Sequence, residues 1–253
     1  MENPFDRLKL ITGFEAAAAI ERSHVFVVGV GGVGSWCAEA LVRSGIGSIT
    51  IIDPDIVCAS NINRQVQALS SSIGRLKTDA LRERLLDINP SCRVLSFSSA
   101  FSKETSDTFN ISGADYIIDA IDTLSQKLDL IETVFSGGKP LFSSMGMAQK
   151  LDPTLIRTAD IWDTEGCPLA ALVRQGLRKR NFNGHFTAVY SPEKIPLTLR
   201  PCENPFQDTS RGWESGKKQI NGSAVMVTAA AGMILASLVI KDICATFGGQ
   251  HCE

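Results

Sequence analysis

Three observations on this chain of 253 residues predict an α/β fold, Rossmann-like and doubly wound around a mainly parallel sheet. Short β-branched or aromatic runs alternate with helical patterns from His24 to about Met145. The first run, His24-Val25-Phe26-Val27-Val28, feeds directly into Gly29-Val30-Gly31-Gly32-Val33-Gly34, which spells G-x-G-x-x-G between a strand and a helix. The strands read as near-continuous apolar stretches, the pattern of a sheet covered on both faces. After about Ala148 the alternation stops, so the prediction adds an extended C-terminal region and a long crossover loop. The whole reads as a single domain: an N-terminal helical arm over 1–23, a nucleotide-binding core over 24–146, and a substrate-side extension, mobile loop and final helix over 147–253.

In the arm, Phe14 to Arg22 is alanine-rich and favours helix. Gly29, Gly31, Gly32 and Gly34 let the backbone turn tightly and come close to a phosphate. The helix from Val33 to about Ser44 points its N-terminal N–H groups at that anion. A second strand, Ser48 to Ile52, delivers Asp53 about 20 residues past the motif, where a carboxylate can accept from ribose hydroxyls. Up to this point a dinucleotide oxidoreductase would read the same. Asp53-Pro54-Asp55 then leads into Ser60-Asn61-Ile62-Asn63-Arg64-Gln65. Asp53 and Arg64 are both expected on loops at strand ends, outside the core. Gly74 to Asn89 is a helical period stopped by Pro90, with Lys77 in its first turn. Lys77 reads as a solvated face residue or, from its place just after the polar loop, as a nucleotide-side cation. Two added cations suit a triphosphate losing pyrophosphate better than a dinucleotide.

Cys92 to Phe97 is a third strand and Asp115 to Asp119 a fourth, after which Asp119 and Asp122 flank Ala120-Ile121. Ligands of open α/β sheets gather at such strand ends. Asp122 suits either an N-cap for the next helix or a carboxylate on a phosphate-bound Mg2+. That helix runs to about Ser136, and a fifth strand, Lys139 to Met145, ends in Gly146. Thr154 to Ala159 reads as a strand of a sheet extension. Cys167-Pro168-Leu169-Ala170 opens a helix carrying Arg174, Arg178, Lys179 and Arg180. Those cations form a solvated face or, with Phe186 and Tyr190 read as exposed aromatics, a handle for RNA. Pro192 to Lys218 reads as a long mobile loop over the site. Gly222 to Ile240 approaches the ~20 apolar residues a bilayer needs. Its Ala and Gly content suits a buried helix, and no stable membrane insertion is expected.

A net charge of −2 argues against holding nucleic acid by charge alone, while leaving room for a local basic patch. The 7 cysteines contain no C-x-x-C pair. With no signal-peptide pattern, they read as reduced thiols of a cytoplasmic protein and speak against a four-thiolate zinc.

Through GVGGVG, the D-x-D after the second strand, S-N-x-x-R-Q, Lys77 and Asp119-Ala120-Ile121-Asp122, the chain resembles the ATP-dependent adenylating superfamily of HesA, MoeB and ThiF type. That superfamily includes the ubiquitin-activating enzymes and the activators of molybdopterin and thiamine sulfur carriers. Later motifs are similar to one branch, the tRNA threonylcarbamoyladenosine dehydratases or cyclases. They are Ser143-Ser144-Met145-Gly146, Lys150 to Thr154, Cys167 to Ala170, Leu177 to Arg180, Val189 to Ser191 and Gly222-Ser223; Trp36-Cys37, Val57-Cys58 and Asp119 to Thr123 are shared with the branch too, but motifs through Asp122 specify only the superfamily. The resemblance runs nearly end to end.

The resemblance implies an ATP-dependent closure of the threonyl carboxylate of a modified adenosine next to the anticodon, with tRNA as substrate and ATP and Mg2+ as cofactors. It implies nucleotide contacts from Gly29, Gly31, Gly32, Gly34, Asp53, Asp55, Asn61, Arg64 and Lys77. Arg7, Arg64, Lys77 and Asp122 would be catalytic, with Asp122 on the metal. It further implies a homodimer in which Arg7, otherwise an ordinary surface arginine, reaches the partner's site. The alternative is the same adenylation on the C-terminus of a ubiquitin-like sulfur carrier, with a sulfur-transfer or sulfur-acceptor partner. Cys167 at its helix start would then be a nucleophile instead of a small packing residue. The complete cation and carboxylate set opposes a non-catalytic scaffold, and S-N-x-x-R-Q opposes an NAD oxidoreductase.

Overall fold

Runs of four or five residues rich in Val, Ile and Phe supply the strands, and each points alternate side chains to opposite faces. A computed structural model describes residues 3–194 and 222–247. The strands are β1 (His24–Val28), β2 (Ser48–Ile52), β3 (Arg93–Phe97), β4 (Tyr116–Asp119), β5 (Leu141–Ser144), β6 (Arg157–Asp160) and β7 (Thr187–Tyr190). They form one sheet in the order β3-β2-β1-β4-β5-β7-β6. Every pairing is parallel except β6 with β7. The order reverses between β1 and β4, the switch point at which such sheets open a ligand crevice. The predicted doubly wound sheet with an added C-terminal extension is therefore present.

Helices cover both faces: α1 (Asp6–Thr12), α2 (Phe14–Arg22), α3 (Gly34–Arg43), α4 (Lys77–Ile88), α5 (Leu124–Ser136), α6 (Pro168–Lys179) and α7 (Val225–Phe247). One core layer joins Cys37, Leu41 and Val42 of α3 to Val227, Leu235 and Val239 of α7. The other joins Leu128, Ile131 and Val134 of α5 to Ala170, Val173 and Leu177 of α6. The apolar segment near the C-terminus is longer than its expected end at Ile240. By length and composition α7 could cross a membrane, yet it lies against α3 and α2. At Gly232 that contact becomes backbone on backbone. A Cβ there would stand 2.5 Å from the carbonyl oxygen of Val33 and 2.9 Å from the amide nitrogen of Cys37.

The strand expected from Thr154 begins three residues later. Pro153 opens a 3-10 turn over Pro153–Leu155, and the Asp152 carboxylate accepts from the Thr154 N–H. Most of the crossover loop expected over Pro192 to Lys218 lies outside the described residues.

The aromatic half of the RNA-handle reading is overturned. Phe186 and Tyr190 are only 8% and 4% exposed, because they face the core shared by β7, α5 and α6. Most of the basic helix end is engaged inside the molecule as well. Arg174 donates to Thr164 Oγ1, Arg178 lies 5.4 Å over the Trp162 ring, and Arg180 bridges Asp129 and Glu132 of α5 at 2.7 and 2.9 Å.

Candidate functional site

The glycine turn after β1 is pressed against the turn after β4. Gly29 has φ +88°, and a Cβ on it would lie 2.7 Å from the carbonyl oxygen of Ala120. A left-handed residue with no room for a side chain must be glycine. The turn leads into α3, whose first N–H groups are the anion-binding end of a helix.

Asp53 stands at the end of β2 and faces this turn. Its Oδ2 accepts from the Val30 N–H at 2.8 Å and its Oδ1 from the Asp55 N–H at 3.0 Å. Lys77 Nζ is 2.7 Å from Asp55 Oδ2 and 3.8 Å from Asp53 Oδ1. The expectation that Asp53 lies outside the core is corrected. It is 6% exposed, its oxygens taken by the Val30 and Asp55 N–H groups, with Lys77 close beside them. Burial raises its carboxyl above the usual range, with the Lys77 ammonium pulling the other way. The solvated reading of Lys77 also falls. It is 5% exposed, and its own N–H donates to the Asp55 carbonyl at 2.9 Å, drawing the start of α4 onto the Asp53–Asp55 segment. Asp55 Oδ1 is buried with no hydrogen-bond partner among the described residues.

The polar loop begins with a 3-10 turn, Ala59–Asn61. Buried Asn61 accepts from the Cys58 N–H at 3.0 Å and so shapes the loop. Arg64 follows, with its stem against the glycine turn: a Cβ on Gly32 would lie 3.3 Å from Arg64 Cγ. Its guanidinium donates to Ser60 O and to Asn63 Oδ1 at 2.9 and 3.0 Å. Asn63 Nδ2 in turn donates to Ser223 O at 2.8 Å, tying the loop to the start of α7.

Asp122 is exposed at the end of the β4 turn, with Thr123 Oγ1 3.4 Å from its Oδ1. The N-cap reading is not supported, because Thr123 is the cap residue of α5 and no side chain bonds there. Gly29, Gly31, Gly32, Gly34, Asp53, Asp55, Asn61, Arg64, Lys77 and Asp122 therefore gather around the ends of β1, β2 and β4.

Arg7 does not join them. It lies exposed on α1, whose preceding residue Phe5 packs against Gly45 just past the far end of α3. The 10 residues of α3 put about 15 Å between that end and the glycine turn. Beside Arg7, Leu10, Ile11 and Phe14 are 86%, 84% and 81% exposed. Cys167 is buried, with Sγ 4.0 Å from the Gly146 carbonyl, in the position of a packing residue.

Lys127 escaped the reading of the sequence. Both Lys127 and Asp119 are fully buried, with Nζ 2.6 Å from Asp119 Oδ2. The available signal was its spacing: Lys127 falls four residues before Ile131 and seven before Val134, on the buried stripe of α5.

A model of the ThiF family matches residues 6–250. The tRNA threonylcarbamoyladenosine dehydratase of Bacillus subtilis is 38% identical over 243 residues, covering 96% of this chain and 95% of that protein. Among solved structures, the Escherichia coli tRNA N6-threonylcarbamoyladenosine dehydratase in complex with ATP superposes with a TM-score of 0.83 at 33% identity, over 98% of this chain and 96% of that one. The same protein in complex with AMP gives a TM-score of 0.83 over 96% and 94% of the two chains. An adenylyltransferase and sulfurtransferase of Drosophila willistoni is 32% identical over 143 residues, which is 56% of this chain and 31% of that protein.

Proposed function

The chain belongs to the ThiF family, and from that premise we propose that it is the ATP-dependent enzyme that dehydrates and cyclises N6-threonylcarbamoyladenosine next to the anticodon of tRNA. One observation carries this reading: the glycine turn, Asp53, Lys77, Arg64 and Asp122 converge at the switch point of a chain similar nearly end to end to relatives of that activity, one of them solved with ATP and with AMP.

A carboxylate is a poor electrophile, so it must first acquire a leaving group. The threonyl carboxylate oxygen attacks the α-phosphorus of ATP, pyrophosphate departs, and an acyl adenylate remains. A nitrogen or oxygen of the carbamoyl group then attacks the acyl carbon, AMP leaves, and the net loss from the nucleoside is one water. Both reacting groups belong to one substrate, so proximity drives closure without a protein nucleophile. The buried Cys167 agrees with that. In this reading the glycine turn and α3 hold phosphate, Asp53 orients the ribose, and Lys77 and Arg64 stabilise charge on the phosphates.

Mg2+ belongs to the same proposal. Among the described residues no group of three or more His, Cys, Asp or Glu could cage a metal. The exposed carboxylate of Asp122 fits an ion that takes most of its ligands from phosphate and water. Such an ion would neutralise charge on the departing pyrophosphate. The homodimer is proposed on the exposed Leu10, Ile11 and Phe14 and on the distance of Arg7 from its own site. Pairing two such faces buries them and can bring Arg7 to the partner's phosphates. Among the described residues Cys37, Cys58, Cys92, Cys167 and Cys244 are free thiols, which suits the reducing cytoplasm we propose.

The test is mass analysis of nucleosides from tRNA carrying threonylcarbamoyladenosine, after incubation with the protein, ATP and Mg2+. Loss of one water, matched by AMP and pyrophosphate, is expected. An unchanged nucleoside in a preparation that binds ATP would sink the proposal.

A further inference from the structure

We infer that Lys127 is a positioning residue, which through Asp119 sets the turn that carries Asp122 against the glycine turn. The inference rests on the reading of Asp122 as the carboxylate that serves MgATP.

Two wholly buried opposite charges need an account, because an apolar pair of similar volume would avoid their loss of hydration. What an apolar pair cannot do is hold several polar groups at once. Lys127 Nζ donates to Asp119 Oδ2 at 2.6 Å, to the carbonyl oxygen of Ser144 at 2.9 Å and to Ser143 Oγ at 3.3 Å. Ser143 Oγ donates to the same Asp119 oxygen at 2.7 Å. The other oxygen, Oδ1, accepts from the Ile121 N–H at 3.1 Å, inside the turn itself.

On its opposite side the turn is fixed by the Ala120 N–H donating to the Val28 carbonyl at 2.8 Å. It is fixed again by Ala120 O lying where Gly29 leaves room for no side chain. Asp122 is the next residue after a turn clamped from both sides. The same ammonium holds the end of β5, so one buried cation joins that strand end to the turn after β4. Displacements near 1 Å at a catalytic group can cost on the order of a hundredfold in rate, so such a clamp has kinetic weight.

The experiment compares wild type with Asp119→Leu/Lys127→Met, which removes both charges together. It also uses Asp119→Asn/Lys127→Met, which keeps an acceptor for the Ile121 N–H, and Asp122→Ala. AMP and ATP affinities are measured by calorimetry with and without Mg2+, beside kcat and KM. In the Leu/Met double variant, AMP affinity should stay within about twofold, while the tightening of ATP by Mg2+ and kcat should each fall about tenfold or more. The Asn/Met variant should fall between it and wild type. If the Leu/Met protein does not fold, the Asn/Met protein is read the same way, with a loss of about threefold expected.

A folded variant with wild-type kcat and wild-type Mg2+ response overturns the inference and leaves the pair a structural one. Asp122→Ala separates the two claims. If it leaves the Mg2+ response intact, the reading of Asp122 fails whatever the pair does; if it abolishes that response while the double variants keep it, only the positioning role fails.

Discussion

Replacing Gly232 by Ala sets two effects of opposite sign against each other on one methyl group. Within a helix interior, Gly to Ala gains about 1 kcal/mol of propensity. Against this stands the crossing of α7 over α3, where the new carbon would meet Val33 O at 2.5 Å, Cys37 N at 2.9 Å and Trp36 Cβ at 2.9 Å. Two of these three are backbone atoms, which no change of rotamer can move aside, so the helices must separate. Overpacking of this kind costs about 1–3 kcal/mol, and a fixed backbone obstacle argues for the upper end. Subtracting the propensity gain leaves a net loss of about 2 kcal/mol. For a chain of this size each kcal/mol lowers Tm by about 2–4 °C, so a fall of about 4–8 °C is expected in a thermal melt without nucleotide. Because Val33 is the cap residue of α3 and Cys37 lies in its first turn, ATP affinity by calorimetry should fall too. A variant that melts at or above the wild-type temperature would show that propensity wins and that the close crossing does not constrain α7.

In the proposed homodimer, Arg7→Ala should lose turnover far more than tRNA binding. Mixing it with excess Asp122→Ala should restore part of the activity, since each mixed dimer rebuilds one intact site. A mixture no better than its parents, with subunit exchange verified, counts against action in trans. Asp53→Ala should weaken ATP binding and also destabilise the fold by about 1–3 kcal/mol, read as a lower Tm, because the buried Val30 N–H loses its acceptor; an unchanged melt would contradict that hydrogen bond. Burial alone would raise the Glu39 carboxyl, but bonds from Arg84 at 2.5 Å and Arg43 at 2.8 Å outweigh it and hold Glu39 below the usual range. A lowered folded-state pKa stabilises above the unfolded value near 4.3 and loses its effect as pH falls through the folded one, so the Tm advantage over Glu39→Gln should vanish between about pH 5 and 3. A gap that is constant across that range excludes the carboxylate as its source. Cys167→Ala should keep cyclisation, and loss of turnover with intact ATP binding would point to thiol chemistry instead.

Local rules made the first half of the fold legible. Five-residue apolar runs, a glycine motif and a helix stopped by Pro90 are signals carried within a few residues, and the sheet through β5 follows them. Burial decided by the other side of the molecule leaves no such local signal. Phe186 and Tyr190 look the same in sequence whether they face RNA or face α5, and only the placement of β7 between β5 and β6 buries them. The place of Asp53 at the end of β2 was legible, but not its burial, since Val30 and Lys77 reach it from different elements. Lys127 has the residue type of a helical surface, and only its place on the apolar stripe of α5 marks it as buried. The role proposed for Arg7 rests on resemblance alone, since nothing in its local sequence distinguishes it from a solvated arginine.

The sheet ends in β3 on one side and in β6 on the other, and both terminal strands are short, at 5 and 4 residues. Each also begins with an exposed arginine, Arg93 or Arg157. An unpaired strand edge is a template for a stranger's backbone, and brevity with charge is the usual way such a template is blunted. Two copies of this chain thus gain little by joining sheets, so the proposed homodimer has to be built from helix-to-helix contact. The same blunting works against fibrous growth by edge-to-edge addition, to which a seven-stranded sheet with long apolar margins would be open.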